Sequence, residues 1–451
     1  GVVLRLENLP TVEVTQSVFD ANTGGLIVLL AWSQRVDNST VALRATRFTR
    51  NMAPSAALVA VQTLSKYATF PATFEASDCW FEANAGLLLA PLADAVQLIG
   101  LIATGNFGGV QIKAESVATV TGGLFLRNRG GIELRRLRID NTRSEVAVWI
   151  TDTRFIDISS APAISALSVQ KQLMIVGCRF ERALARAIVF EGPDLRISNS
   201  RFEACASSPG FNYGNGGAVL ATGTVFISRS LFLRNRALGS GDGGALFVTR
   251  SSPLPGGYNF EQLVCDGNSA RAGGCLVLRN CIGQRMLAAQ LLRNQASEGG
   301  GAFEVRVSDL DVQHSTFNGN VVRTLREPLV SETPLGGGAI RASGSVLTQF
   351  GGSFVNNSAD GAVHKSFAVP GGAILLVYSE FKLQVQLGTD NFASGDGGLA
   401  AAFAFSQLSI VAPSTVLLAR NRALGSGGVA FVRDSSLSMQ YAQVQQNEAV
   451  A

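Results

Sequence analysis

Histidine is almost missing from this chain: His314 and His364 are the two in 451 residues. Neither has a metal-ligand partner at ligand spacing, so a Ser-His-Asp triad or an imidazole metal centre has no support. Lysine is scarce too, five against 32 arginines, and the positive residues are scattered. With a formal net charge of +4 and no basic block, the chain carries no nucleic-acid footprint. Charged residues make up only 16% and hydrophobic ones 47%, which excludes disorder and supplies a large core. Six cysteines contain no Cys-x-x-Cys, so a zinc site is not expected. The longest uncharged stretch, 397–419, is interrupted by Ser406, Gln407, Ser409, Pro413 and Ser414 and reads as strands and a corner, not a membrane span.

What the chain has instead is a repeated phrase. An aromatic residue is followed three positions later by Asn, and then by Gly-Gly and an aliphatic pair. Phe232…Asn235 is followed by Gly243-Gly244-Ala245-Leu246, Phe317…Asn320 by Gly337-Gly338-Ala339-Ile340, and Phe354…Asn357 by Gly371-Gly372-Ala373-Ile374. The first half occurs early, at Phe19…Asn22, Phe48…Asn51, Phe81…Asn84 and Phe125…Asn128; Phe155, Phe180 and Phe202 keep the aromatic and lose the Asn. Later copies drift to Cys265…Asn268, Leu291…Asn294, Leu418…Asn421 and Val444…Asn447. Gly-Gly recurs from Gly216 to Gly427 at intervals of 26 to 37 residues.

Most of those intervals are too short for a four-stranded propeller blade, and the apolar runs between the glycines are too short for helices. The alternating run 225–233 and the apolar run 245–248 read as strands. The expected fold is all-β: a single-stranded parallel β-helix, a solenoid with about three short strands per coil. Residues 1–451 would form one continuous array, degenerate over 1–200 and clear over 201–451, and cut from a longer chain. Two places before the aromatic stands a small residue such as Thr46, Cys79, Thr153, Cys178 or Ser230, which would share the ring's inward face. The Asn would stand at a corner and bond the neighbouring coil, and stacked Asn and aromatic residues stabilise such stacks.

Aromatic-x-x-Asn interleaved with Gly-Gly-Ala-(Ile/Leu/Val) resembles the repeat of the chlamydial-type polymorphic outer-membrane-protein family, closely over about 200–451 and loosely before. Ala302-Phe303 and Cys275-Leu276 depart from the motif at one position each. The resemblance implies a secreted, right-handed pectin-lyase-like β-helix displayed as a surface passenger or adhesin.

Candidate sites are few. Between the Asn and the next Gly-Gly the chain swells at 205–216, 320–337 and 357–371, all at one corner. Insertions on one face of a repeat are where binding residues gather. The candidates there are Phe211, Tyr213, Arg323, Arg326, His364 and Lys365. Asn38 and Asn356 open glycosylation acceptors, and Cys265, Cys275 and Cys281 are close enough in sequence for one disulfide. Asn215 and Asp242 fall at one corner of adjacent coils, where turn-forming is the expected role. The sequence offers no cluster of acids and arginines of the kind a polysaccharide-cleaving β-helix needs; Asp309 and Asp311 are the nearest pair on one strand.

The expectation is a non-enzymatic extracellular or cell-surface structural or adhesive module without cofactor or metal. Its partners would be other protein subunits, more of the same chain, or glycans. The alternatives are a carbohydrate-active enzyme of the pectin-lyase-like class and an autotransporter passenger adhesin.

Overall fold

The structure is a computed structural model that describes residues 2–23, 26–32, 39–63, 72–134, 147–167, 172–207, 214–253, 257–324, 334–361 and 369–450. They form two compact units, Gly1–Arg201 and Phe202–Ala451. The described residues are all-β, with no α-helix. No helix among them is long and apolar enough to cross a membrane, which leaves strand-based crossing unaddressed.

The pairing follows one rule: a strand pairs in parallel with the strand about three places further along the chain. In the first unit Val2–Glu7 pairs with Leu26–Trp32, which pairs with Met52–Thr63; Thr11–Thr15 pairs with Thr40–Arg44, and that with Thr73–Ser77. A third ladder runs through Val18–Asp20, Arg47–Thr49, Trp80–Glu82, Ile102–Thr104, Leu124–Leu126, Arg154–Ile156 and Arg179–Glu181. The second unit repeats the rule and adds a fourth ladder, which includes Ser269–Ala272, Gln295–Gly299, Val321–Thr324 and Ser358–Gly361.

The third ladder fixes the repeated phrase. Its central residues are in register: Phe19, Phe48, Phe81, Ala103, Phe125, Phe155 and Phe180 in the first unit. In the second, Phe232, Cys265, Leu291, Phe317 and Phe354 share one column. Adjacent strands lie about 4.8 Å apart, so rings in one column must stack at that spacing. Phe48 and Phe81 do so at 4.9 Å between centroids, Phe155 and Phe180 at 5.0 Å, and Phe317 and Phe354 at 4.8 Å. Cys178 and Ser230, two residues before the ring, are buried beside it.

Three residues after the ring, the asparagines form a hydrogen-bond ladder. The Asn294 carboxamide oxygen accepts from the backbone N–H of Asn268 at 3.1 Å and from its side-chain nitrogen at 2.9 Å. The Asn294 amide nitrogen donates to the Cys265 carbonyl at 3.1 Å and to Asn320 Oδ1 at 3.0 Å. This arrangement repeats along Asn235, Asn268, Asn294, Asn320, Asn357, Asn391, Asn421 and Asn447. It also repeats along Asn22, Asn51, Asn84, Asn106 and Asn128. Burial is tolerable because each amide finds partners on both sides. In the first unit the ladder lapses where Ile158 and Ala183 fill the slot as buried apolar residues. The residue before the ladder slot sits in the left-handed region, and several are arginines: Arg50, Arg293 and Arg420 before an Asn, and Arg182 before Ala183. Each pairs back to an acid one repeat earlier: Asp20, Asp157, Asp266 and Asp390.

The two glycines of each pair have different jobs. Gly243 has φ +71°, which an L side chain rarely adopts, whereas a Cβ on Gly244 would stand 2.1 Å from the Gly274 carbonyl oxygen. Close stacking of one Gly-Gly on the next is therefore what excludes a side chain at the second position.

The first ladder of the second unit is buried on both faces over the first three residues of Leu246–Thr249, Phe303–Arg306, Ile340–Ser343 and Ile374–Val377, which explains unbroken apolar runs such as 374–377. In the second unit its outer column reads, in register, Leu220, Phe247, Val277, Glu304, Arg341, Leu375 and Ala401, all buried. Two charged residues thus interrupt an otherwise apolar column.

Candidate functional site

Those two residues anchor a charged cluster that the sequence reading did not find. Glu304 Oε1 accepts from Arg306 Nε at 2.7 Å and from Arg341 Nη1 at 3.2 Å. Arg306 also reaches Asp242 at 3.3 Å, and Arg271 bridges Asp242 and Glu298 at 2.8 Å each. The expectation of no acid–arginine cluster is therefore corrected. Residues 242 to 341 come together because the ladder period sets Glu304 beside Arg341, while Asp242 stands at the Gly-Gly corner and Arg271 on the fourth ladder. A Cβ on Gly299 would lie 2.4 Å from Arg341 Cδ, so glycine there makes room for that side chain.

Desolvation governs the electrostatics. Burial, followed by the charge of Glu304, pushes the Asp242 carboxyl above its usual range despite two arginines. The carboxylates hold Arg306 in its cationic form against the cost of burial. Replacing such a cluster by apolar side chains is often neutral or stabilising. Its presence in an apolar column is thus not accounted for by stability alone.

The cluster borders a cavity of about 460 Å³ lined by Arg271, Arg279, Asn280, Glu298, Glu304, Arg306, Leu335, Arg341 and Ser343, among others. A second cavity, about 480 Å³, lies between Arg236, Arg271 and Arg323, with Ser269, Gln295 and Ser297 on its walls. Arg323, a loop-edge candidate, therefore lines a cavity, and Arg271 borders both. Phe211, Tyr213, Arg326, His364 and Lys365 lie outside the described residues, as does the acceptor Asn38. Asn356 is exposed, in the left-handed position before Asn357.

The first unit has a different cavity, about 470 Å³, floored by Gly108, Gly109, Gly130 and Gly131. Phe107, 58% exposed, stands on its wall with the Arg129 guanidinium 4.1 Å from the ring centroid. There the Asn is followed almost at once by Gly-Gly. Gln111, Glu133 and Ser165 occupy the outer column, with Gln111 donating to Glu133 at 2.9 Å.

Cys265 is bonded to Cys275, and Cys281 is a free, buried thiol. Burial pushes Cys79 up to about 11 and Cys178 to about 12, which makes these thiols inert. The corner expectation for Asn215 and Asp242 meets a hydrogen bond, from the Asp242 backbone N–H to Asn215 Oδ1 at 2.9 Å. Asp309 is exposed, and Asp311 accepts from Thr348 at 2.8 Å. No group of three or more His, Cys, Asp or Glu among the described residues is arranged to hold a metal ion.

Two ladder members escaped the sequence reading, Asn106 and Asn391, because Ala103 and Gly388 stand in their aromatic slots. A second ladder escaped it altogether. The hydroxyls of Ser308, Ser345, Ser379, Ser406 and Ser435 each accept from the backbone N–H of the residue one repeat earlier in the same column, beginning with Cys281. No family model matches the chain, and no curated protein matches it.

Proposed function

We propose that the chain is a right-handed parallel β-helix of the polymorphic outer-membrane-protein repeat kind, serving at the cell surface or outside it as a non-enzymatic binding module. The observation that carries this reading is the contrast between core and outer column. Inward slots repeat the same stacking residues, whereas the outer column turns polar where cavities open, at 111–165 and at 304–341. A repeated frame that carries a different polar recess in each unit suits recognition of glycans or protein subunits. The Cys265–Cys275 bond supports an oxidising compartment. The test is binding of purified 1–451 to a glycan array and to intact cells. Saturable capture on either is expected, and none on both would overturn the reading.

A second reading, a pectin-lyase-like carbohydrate-active enzyme, is favoured by one observation, the acids Asp242, Glu298 and Glu304 among arginines. Against it, each acid is already paired with an arginine. Incubation with polygalacturonate, with and without calcium, is expected to release no product. Turnover lost in Glu304→Gln would establish the enzyme instead.

A further inference from the structure

The cavity beside Glu304 has a charge balance that specifies its occupant. Four guanidinium groups, of Arg271, Arg279, Arg306 and Arg341, stand against three carboxylates, of Asp242, Glu298 and Glu304. Arg271, Arg306 and Arg341 are held by those carboxylates. Arg279 is the remainder: it is exposed, lines the cavity, and makes no ion pair among the described residues. It lies in register with Arg306 on the neighbouring strand, about 4.8 Å away along the ladder. Two arginines in register on neighbouring strands and lining one cavity, one of them uncommitted, suit a single carboxylate. The remaining lining is hydrogen-bonding: Asn280 and Ser343 offer donors and acceptors, and Glu298 offers an acceptor. An apolar acid would cover Asn280 and Ser343 without bonding to them, at a cost.

We propose that this cavity binds a hydroxylated monocarboxylate, with its carboxylate on Arg279 and Arg306 and its hydroxyls toward Asn280, Ser343 and Glu298. The single negative charge cancels the cluster's single excess positive charge. Two sources share this chemistry, a sugar-acid residue of a glycan and a free small hydroxy acid. The proposal deepens the binding-module reading and rests on it only for its setting.

Calorimetric titration of the 451-residue chain with D-glucuronate, D-glycerate and D-glucose tests it. Binding of D-glucuronate alone identifies a sugar acid; binding of D-glycerate as well identifies the smaller class, and either supports the proposal. D-Glucose should bind at least tenfold more weakly than the acids. Arg279→Gln, at an exposed position, should weaken the acids at least tenfold, and Glu298→Gln should weaken D-glucuronate more than D-glycerate. Heat from neither acid, equal binding of D-glucose, or unchanged affinity in Arg279→Gln would overturn it. Failure of the wider reading is distinguishable: a chain that captures no glycan or cell yet binds these acids would retain this site.

Discussion

Replacing Asn294 by alanine tests the ladder at its most enclosed point. Asn294 is fully buried, and its side chain makes four hydrogen bonds, two as acceptor and two as donor. At about 1 kcal/mol net for each, their loss costs about 4 kcal/mol. The Asn268 backbone N–H is the group left worst off, because the Asn294 oxygen is its acceptor. Asn268 keeps its side-chain bond to the Phe232 carbonyl. The expected cost is therefore about 3–5 kcal/mol, in the range reserved for broken buried networks. Asn22→Ala is the control: that residue is half-exposed, and it donates to Asn51 from its backbone and its side chain. Losing its side-chain bond should cost about 1 kcal/mol. Long repeats can unfold in parts, so native-state hydrogen exchange is a better assay than one global transition. In Asn294→Ala the amide of Asn268 should exchange at least a hundredfold faster, since each 1.4 kcal/mol is a factor of about ten. An acceleration below tenfold at that amide, or equal costs for the two variants, would refute the claim that the carboxamides hold neighbouring repeats together.

Two further perturbations follow from the same geometry. Gly244→Ala places a methyl 2.1 Å from a neighbouring carbonyl oxygen, whereas a Cβ on Gly105, at φ +64°, meets nothing within 4 Å. The first should abolish or severely reduce soluble folded protein, and the second should cost about 1–2 kcal/mol by denaturant unfolding, the left-handed penalty for alanine. Burial raises the Asp242 carboxyl above its usual range, so the folded state holds that proton more tightly than the unfolded chain does. Its contribution is fully present below the unfolded carboxylate pKa and is lost as pH rises through the folded value. Asp242→Asn should therefore gain stability relative to the parent between pH 4 and pH 7, measured by urea unfolding at each. A relative loss over that interval would contradict the assigned dominance of desolvation.

The inward architecture was largely legible because stacking demands the same chemistry at the same slot. Phe232, Phe317 and Phe354 could be assigned to one column because a ring stacks best on a ring, and Asn320 and Asn357 to one corner because a carboxamide satisfies another. Legibility failed where a slot tolerates substitution. Ala103 and Gly388 still admit the ladder amides that follow them, so a search keyed on aromatics passed over Asn106 and Asn391. The residue types directly before those asparagines, Gly105 and Asp390, both turn-formers that tolerate the left-handed region, were the available signal. The charged cavity was not legible for a different reason. Glu304 and Arg341 are 37 residues apart, across a repeat lengthened by an insertion, and only the register shows that they are neighbours.

The direction of the Asn ladder has a consequence for how such a chain changes length. Each carboxamide oxygen receives from the preceding repeat, and each amide nitrogen gives to the following one, so every interior member presents identical ends. The nearly literal copies 234–241 and 420–427 occupy equivalent places, with Arg234 and Arg420 both left-handed and Asn235 and Asn421 both in the ladder. A gene recombining between such copies would add or remove whole repeats and leave the hydrogen bonds at the junction intact. Length then varies by whole repeats, while a one-residue insertion into a ladder strand would turn its inward residues outward. Inheritance of such a protein is modular at the scale of the repeat and unforgiving below it.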